Sequence, residues 1–159
     1  MLGLPLKNET IVLSLAPEEI EEVLWLHTYP VEEGALMPDK PEIDFLFNGW
    51  VRDNKFKLSR KIRTPENFLP IIHGRIEKTS LGSLVFVQYS LFFSSNFFLV
   101  FWSLVTLLLT IFFIVFHDMV LYGAIAFGVG VSNYIIALAN FNIQVKKSSQ
   151  LLLKVLNEG

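Results

Sequence analysis

The chain has 159 residues, a formal net charge of −2 and no cysteine. A charge this close to zero argues against a nucleic-acid partner, and the lack of cysteine excludes disulfides, thiol catalysis and cysteine-ligated metals. The near-neutral average hides two opposite segments. Residues 1–49 contain ten acidic residues against two lysines, whereas residues 50–90 contain eight Lys or Arg against three acidic residues. The first residues, MLGLPLKNETIV, lack a basic stretch leading into an apolar one, so we do not expect a secretory signal.

The N-terminal segment predicts a strand followed by a helix. TIVLSL (10–15) is typical of a strand, and LAPEEIEEVLWLH (15–27) predicts a helix with Pro17 at its first position. Ala16 is a poor cap for this helix. The predicted apolar stripe is Ile20, Val23, Leu24 and His27, and the predicted exposed face is the acidic run Glu18, Glu19, Glu21 and Glu22. Acid–base chemistry by that run is disfavoured, because nothing in the sequence perturbs these carboxylates.

A connector and a first hairpin follow. Residues 28–43 contain three prolines and a glycine and read as irregular. DFLFNGWV and KFKLSRKI then flank Asp53-Asn54, a two-residue hairpin signal. The second segment alternates: one face carries Phe56, Leu58, Arg60 and Ile62, and the other carries Lys55, Lys57, Ser59, Lys61 and Arg63. Arg60 is the exception on the apolar face. We expect it to pair with a carboxylate of the N-terminal helix or to extend past the sheet edge.

A second hairpin is predicted after a turn at Thr64–Asn67. PIIHGRIEK and SLVFVQYSL are joined by TSLG, in which Gly82 supplies the turn. Alternation places Ile72, Gly74 and Ile76 on one face and Ile71, His73, Arg75 and Glu77 on the other. Gly49 and Gly74 fall inside strands, where glycine weakens pairing unless a ring or a backbone comes close. We expect the N-terminal helix, or Trp25, to pack over these two glycines.

Two long apolar segments come next. Residues 91–116 and 119–140 contain no charged residue, and each is long enough to cross a bilayer, with spans at about 93–116 and 119–139. A buried helix pair of a soluble protein is disfavoured by uncharged runs of this length. Only His117-Asp118 separates the segments, which predicts a tight antiparallel hairpin. All 13 Lys and Arg residues lie outside the hairpin, so the positive-inside rule predicts that both termini are cytoplasmic.

The second apolar segment is rich in small residues, which let helices approach closely in lipid. This candidate helix-packing face comprises Gly123, Ala124, Ala126, Gly128 and Gly130. It either meets the first span or meets a helix of another protein. Asn96 and Asn133 are amides within the spans, and interhelical hydrogen bonding or an interfacial position suits them better than a transport pathway, because no ionisable residue accompanies them.

The C-terminal segment, residues 141–159, predicts a short strand and a helix. FNIQV (141–145) alternates, and KKSSQLLLKVLN (146–157) has an apolar stripe that docks on the sheet or lies on the membrane, with docking favoured by the shortness of the stripe. The fold class predicted is therefore α+β. It consists of a small cytoplasmic antiparallel sheet with one N-terminal helix (1–90), a transmembrane helical hairpin (91–140), and a short cytoplasmic strand with an amphipathic helix.

A resemblance supports this architecture. The pattern F-x-G-x-V-x4-F-x-[IL]-x-R-x-I, followed by N-x-F-L-P-[IV]-I-x-G-x-I, resembles a group of small uncharacterised bacterial inner-membrane proteins. The matching positions are Phe47, Gly49, Val51, Phe56, Leu58, Arg60, Ile62, Asn67, Phe68, Leu69, Pro70, Ile71, Ile72, Gly74 and Ile76. The chain departs from the pattern at Glu66, where the group usually has an arginine, and Asn67 directly precedes Phe68 without the intervening residue of the pattern. The resemblance implies two spans and a terminal helix, and it implies no activity.

Catalytic and metal-binding motifs are not found in the sequence. His27, His73 and His117 are far apart along the chain, no carboxylate cluster accompanies them, and no nucleophile has a partner at a recognisable spacing. We therefore expect neither an enzyme nor a cofactor. The candidate docking surface is basic and comprises Lys55, Lys57, Lys61, Arg63 and Arg75. It is either an ordinary solvated strand face or a face that docks on anionic lipid or on an acidic partner.

These observations predict a non-enzymatic integral membrane protein of a bacterial inner or thylakoid-type membrane. We expect an accessory or assembly subunit of a larger complex, such as a photosynthetic or respiratory one, with the lipid bilayer and other integral membrane subunits as partners and no nucleic acid. The aromatic-rich spans could face lipid, or pigments and quinones of a host complex. The alternative is a module at the membrane surface that senses a lipid or another ligand.

Overall fold

The computed structural model describes residues 5–31, 45–62, 66–116 and 119–158. These residues form six strands and three α-helices, as expected of the α+β class. In chain order they are β1 (Leu6–Leu13), α1 (Pro17–Leu26), β2 (Thr28–Pro30), β3 (Phe47–Arg52), β4 (Lys55–Arg60), β5 (Pro70–Thr79), β6 (Gly82–Leu91), α2 (Phe93–Ile111) and α3 (Val120–Glu158). A short π-helical segment, Phe112–Phe116, extends α2.

The strands form one sheet in the order β1-β6-β5-β4-β3-β2. All neighbours are antiparallel except β2 and β3, which are parallel. The prediction of a purely antiparallel sheet was therefore wrong. The exception, β2, has only three residues and falls in the segment predicted to be an irregular connector. A strand of that length is too short to show a periodicity in sequence.

Both predicted hairpins are present. Asp53 and Asn54 have φ values of 53° and 57°, the left-handed conformation that both central residues of a type I′ turn require. In the second hairpin Gly82 has φ +139°, and a Cβ there would overlap the carbonyl oxygen of Leu13. Only glycine fits this position, because both the backbone angle and the neighbouring strand exclude a side chain. Of the predicted turn at 64–67, residues 64 and 65 lie outside the described residues.

The two strand glycines are explained by partners within the sheet. A Cβ on Gly74 would overlap the ring of Phe56, its cross-strand neighbour, so the glycine leaves the space that the ring occupies. Gly49 has φ +151° and lies against the carbonyl of Lys57. α1 contacts β3 and β5, the strands that carry these glycines, but the atoms nearest to each glycine belong to β4. The register of β4 against both neighbours decides these contacts, and the sequence does not show it.

The core lies on one face of the sheet, called here the core face. Alternate residues of the strands point to this face and are buried beneath α1 and the last part of α3. The largest fully buried side chains are Tyr89, Phe45, Phe47, Phe56, Phe141, Ile20, Leu24, Leu58, Ile72, Leu152, Leu156 and Val85. The predicted apolar stripe of α1 is confirmed at Ile20 and Leu24, which have no exposed surface. Burial of this apolar surface is the main source of stability.

The third helix is continuous from Val120 to Glu158, a length of 39 residues. The predicted strand at 141–145 was therefore wrong. Phe141 and Val145 are buried, but they are four residues apart, a spacing that also places them on one face of a helix, and Ile143 between them is 53% exposed. The predicted docking of the C-terminal helix on the sheet is confirmed by the burial of Leu152, Val155 and Leu156.

Two helical segments, Phe93–Phe116 and the one that begins at Val120, are long and apolar enough to cross a membrane. In each, only 11% of the most apolar 18-residue window is buried inside the protein. This exposure distinguishes them from the core helices of a soluble protein, whose apolar side chains are covered. The turn predicted at His117-Asp118 lies outside the described residues.

Candidate docking surface

The sheet has a second face, called here the open face, that none of the described elements covers. Residues on this face alternate with the buried core residues along every strand. It carries Tyr29, Asn48, Trp50, Arg52, Lys55, Lys57, Ser59, Ile71, His73, Arg75, Glu77, Leu84, Phe86, Gln88, Ser90, Leu6, Asn8, Thr10 and Val12. Basic and aromatic side chains are concentrated in its β3–β5 part, so this is where a docking function would lie.

Cross-strand register brings three of the predicted docking residues together. Lys55 lies directly opposite Arg75 on β5 and opposite Arg52 on β3, and Lys57 lies opposite His73. Like charges directly opposite one another in a sheet are destabilising, so this arrangement has a cost in the isolated chain. Arg75 forms an ion pair of 2.5 Å with Glu77, its neighbour on the same face of β5. We name Arg52, Lys55, Lys57 and Arg75 the cationic patch.

The remaining predicted docking residues lie elsewhere. Lys61 follows β4, and its ammonium lies 5.4 Å from the ring centre of Tyr29. Arg63 lies outside the described residues. Sequence reasoning missed Arg52, although its position two residues after Trp50 on an alternating strand was a usable signal. The Arg52 guanidinium lies 5.1 Å from the ring centre of Trp50. Two aromatic rings of the open face are thus each covered by a cation of the same chain.

His73 sits half-buried among these cations. Burial lowers the pKa of this imidazole, and the positive charge of Lys57 opposite lowers it further. His73 is therefore neutral near pH 7. Together with Asn8, Thr10, Arg75, Phe86 and Gln88 it lines a shallow hollow of about 390 Å³ on the open face. Glu9, Gly74 and Val87 complete the lining of this hollow.

Arg60 anchors the sheet to α3. Its Nη2 donates to Oε2 of Glu66 at 2.6 Å and to Oε1 of Gln144 at 2.7 Å, and Lys147 adds a contact to Glu66 at 3.9 Å. The expected pairing of Arg60 with a carboxylate of α1 was wrong. Burial raises the pKa of Glu66, but hydrogen bonds from Arg60 and Gln144 and the charges of Arg60 and Lys147 outweigh it, so the pKa is lowered. The carboxylate stays ionised and holds the cluster together.

A second polar cluster fastens α3 to the strand β1. Oε2 of Glu9 accepts hydrogen bonds from the Tyr89 hydroxyl at 3.1 Å and from Oγ of Ser149 at 2.8 Å. Tyr89 has no exposed surface. Burial raises the pKa of its hydroxyl well above the usual value, and the negative charge of Glu9 adds to this. Tyr89 therefore remains a hydrogen-bond donor at every physiological pH.

The candidate helix-packing face divides into two. A Cβ on Gly123 would meet Ile114, and a Cβ on Gly130 would meet the side chain of Thr106, so these glycines face the first apolar helix. Ala126 is half-buried beside them, whereas Ala124 and Gly128 are exposed. A Cβ on Gly128 would meet no side chain of the described residues within 4 Å. The contact with the first apolar helix is therefore made by Gly123 and Gly130, while Ala124 and Gly128 are left uncovered within the described residues.

Asn96 and Asn133 are amides within the two apolar segments. Oδ1 of Asn96 is buried and has no hydrogen-bond partner among the described residues, and Asn133 is half-buried. Within the same ranges no group of three or more His, Cys, Asp or Glu side chains is placed to hold a metal ion. The chain matches no family model, no curated protein and no solved structure. The surfaces and clusters above are therefore the basis for any functional conclusion.

Proposed function

We propose that the chain is a non-enzymatic integral membrane protein that serves as an accessory or assembly subunit of a larger bacterial membrane complex. In this proposal α2 and the first half of α3 cross the inner, or a thylakoid-type, membrane, and both termini are cytoplasmic. The observation that carries it is the unbroken helix α3, which joins an apolar hairpin to the core of a sheet whose other face no described element covers.

The dimensions support a crossing of the bilayer. Phe93–Phe116 has 24 residues, which span about 36 Å at 1.5 Å per residue and exceed the roughly 30 Å hydrocarbon core. The 39 residues of α3 span about 58 Å, so about half of the helix is left to pack on the sheet. The apolar side chains that both helices expose are unfavourable in water, and lipid would cover them.

Two attachments hold the sheet in place over the hairpin. β6 ends at Leu91 and α2 begins at Phe93, so a single residue joins strand to helix. On the other side α3 enters the core at Phe141 and is bonded to the sheet through Arg60 and Glu9. A sheet attached to the helices at two points keeps its surfaces at fixed positions relative to the membrane. Fixed positioning suits an assembly subunit that orders neighbouring chains.

Among the described residues, the chain has one uncovered surface on its apolar helices and another on its sheet. Within the proposed bilayer this is the Ala124/Gly128 edge of α3, where a neighbouring helix could approach closely. Above it, the open face of the sheet presents the cationic patch. Arg75 lies opposite Phe86, five residues before the end of β6, so the patch is about 17 Å of strand from the start of α2.

Affinity purification of the full chain in mild detergent, followed by native gels and mass spectrometry, tests this function. We expect defined co-purifying membrane proteins, and we expect Gly128→Leu to remove them while leaving the fold intact, because the added side chain enters open space. Val129→Leu, at an exposed position on the same helix, is the matched control. Migration only as a free 18.2 kDa chain in every growth condition would contradict the proposal.

A lipid- or ligand-sensing module is the second candidate, and one observation favours it. A cleft of about 390 Å³ between α2 and α3 is lined by Val100, Ser103, Leu104, Thr106, Leu107, Phe127, Gly130, Val131 and Tyr134. Its apolar lining suits an acyl or prenyl chain. Native mass spectrometry of the full chain would detect such a lipid, and Leu104→Trp should expel it. The cationic patch supports sensing of headgroups poorly, because about 17 Å exceeds the Debye length of about 8 Å.

A further inference from the structure

A hollow between α1 and β3 has the opposite charge to the cationic patch. Its volume is about 420 Å³, and it is lined by Glu18, Glu21, Glu22, Trp25 and Val51. Carboxylates around an aromatic ring form a favourable site for a lysine or arginine side chain, since the ring face attracts cations and the carboxylates pair with them. We call this the acidic hollow. The sequence did not predict that the carboxylates of α1 would bind the cations of a second chain.

Within the described ranges, only some of the carboxylates of α1 have a bonding partner. Glu19 accepts a hydrogen bond from the backbone N–H of Ala16 at 2.8 Å, which caps the helix, and Glu21 accepts one from the backbone N–H of Asn54 at 3.2 Å. Glu18 and Glu22 are exposed and have no bonding partner among the described residues. They are four residues apart on the helix, where like charges repel each other. A partner that brings cations would relieve that repulsion.

The acidic hollow and the cationic patch lie at the same level on opposite sides of the sheet. The bond from Asn54 to Glu21 ties α1 to the β3–β4 turn, and that turn is flanked by Arg52 and Lys55. Val51, which lines the hollow, points to the core face, whereas its neighbour Arg52 points to the open face. The two surfaces are therefore back to back within one chain and cannot contact each other.

We propose that the cationic patch of one chain docks into the acidic hollow of a second copy, so that copies line up side by side in the membrane. This contact rests on the proposed function in one respect, namely that the chain is inserted in one orientation. Copies that share an orientation differ by a shift or a rotation in the bilayer plane, which keeps both surfaces at matching heights. Such a contact is heterologous and generates a row or a closed ring.

Other occupants fit the cationic patch less well. Single-stranded nucleic acid needs free aromatic rings for base stacking, and the rings of Trp50 and Tyr29 are covered by Arg52 and Lys61. A flat lipid surface lies about 17 Å of strand away from Lys55 and Arg75. A second copy supplies carboxylates at the required level, and the contact relieves the repulsion between Lys55 and Arg75 as well as that between Glu18 and Glu22.

Charge reversal tests the contact by energy transfer between labelled full-length chains in liposomes. Lys55→Glu/Lys57→Glu and Glu18→Lys/Glu22→Lys should each weaken self-association by about tenfold or more, the effect of about 1.4 kcal/mol. An equimolar mixture of the two variants should associate again, because each then offers the surface that the other lacks. Lys7→Glu/Lys78→Glu, which changes the charge equally on the core-face side of the sheet, is the matched control and should associate like the wild type.

Because the chain has no cysteine, engineered cysteines give a second test. Chains carrying Glu22→Cys should crosslink to chains carrying Lys57→Cys, and neither should crosslink with its own kind. Crosslinking of Lys57→Cys chains to one another, or association that ignores charge reversal, would overturn the proposal. So would carbodiimide crosslinks from Lys57 to carboxylates between residues 32 and 44 of the same chain, a segment outside the described residues.

The outcome is independent of the test for a subunit function. Rows of copies without any other co-purifying protein would support the self-contact and contradict the accessory role. Co-purifying partners around a chain that never contacts its own copies would do the reverse.

Discussion

Arg60 and Gln144, which are 84 positions apart in sequence, are joined by a hydrogen bond of 2.7 Å from guanidinium to amide oxygen. The same guanidinium nitrogen binds Glu66, so one arginine connects the sheet, the loop before β5 and the helix α3. The side chain of Arg60 is only 16% exposed. A charged side chain with so little solvent around it needs its hydrogen-bond partners to be stable in this position. In turn, α3 is attached to this edge of the sheet through the guanidinium of Arg60.

Removal of Arg60 should therefore destabilise the domain. Arg60→Met keeps most of the side-chain volume but leaves Glu66 without its main partner, and we expect a loss of about 1–3 kcal/mol in unfolding free energy. Thermal unfolding followed by circular dichroism in detergent would measure it. Lys61→Met, one residue away, is the control. Equal midpoints for the two variants would contradict the role assigned to Arg60.

The stability of the domain should fall as the pH drops through the range of histidine. The pKa of His73 is lowered in the folded chain below its usual value of 6.5, so the unfolded chain binds a proton more readily. Stability from this group is present above about pH 6.5 and is lost as pH falls toward the folded pKa. We expect His73→Gln to show a smaller loss between pH 7.5 and 5 than the wild type.

The pH at which stability is lost also distinguishes the contribution of His73 from that of Glu66. Glu66 contributes stability above about pH 4.5, the usual value for its carboxyl, and loses it only below that. Lys57→Gln should raise the pKa of His73, because it removes the charge opposite. An unchanged difference between wild type and His73→Gln across the whole range would contradict the burial assigned to the imidazole.

Gly74 and Phe56 should behave as a coupled pair. Gly74→Ala places a methyl group where the ring lies, and we expect overpacking to cost about 1–3 kcal/mol. In the background of Phe56→Leu the same substitution should cost much less, since the space is then available. A double-mutant cycle on unfolding free energies measures this coupling, and additive effects would rule out the contact.

A break in α3 between the apolar hairpin and the core should loosen the sheet. Asn142 is exposed, so Asn142→Pro disturbs the helix backbone without removing a buried side chain, at a cost of about 3 kcal/mol. We expect faster hydrogen exchange in residues 143–157 than in the control Asn142→Ala. Equal hydrogen exchange in the two variants would show that α3 is not continuous through Asn142.

Strong periodicity made part of the fold predictable. The clean alternation of Lys55–Arg60 predicted both β4 and its two faces, and Asp53-Asn54 predicted the hairpin turn. Phe141 and Val145 were misassigned because two buried residues four apart fit a short strand as well as a helix. Thr28–Pro30 was missed because three residues show no period, and its parallel pairing with β3 depends on the path of the chain after α1.

The candidate surface was predictable to a similar extent. Lys55, Lys57 and Arg75 were found because each alternates with apolar core residues in its own strand. Their contact with Arg52, however, depends on cross-strand register, which is set by tertiary pairing. The acidic hollow requires Trp25, Glu18 and Val51 to meet, and only the packing of α1 on the core face brings them together.

With the apolar hairpin in a bilayer, as proposed, an unbroken α3 would make the sheet sensitive to the thickness of that bilayer. A long apolar helix tilts more in a thin membrane than in a thick one. The part of α3 beyond the apolar stretch is about 27 Å long, so a tilt change of about 5° would move its far end by roughly 2 Å. Because the core is fixed to that end, thinning of the lipid would swing the acidic hollow and the cationic patch together and alter how neighbouring copies meet.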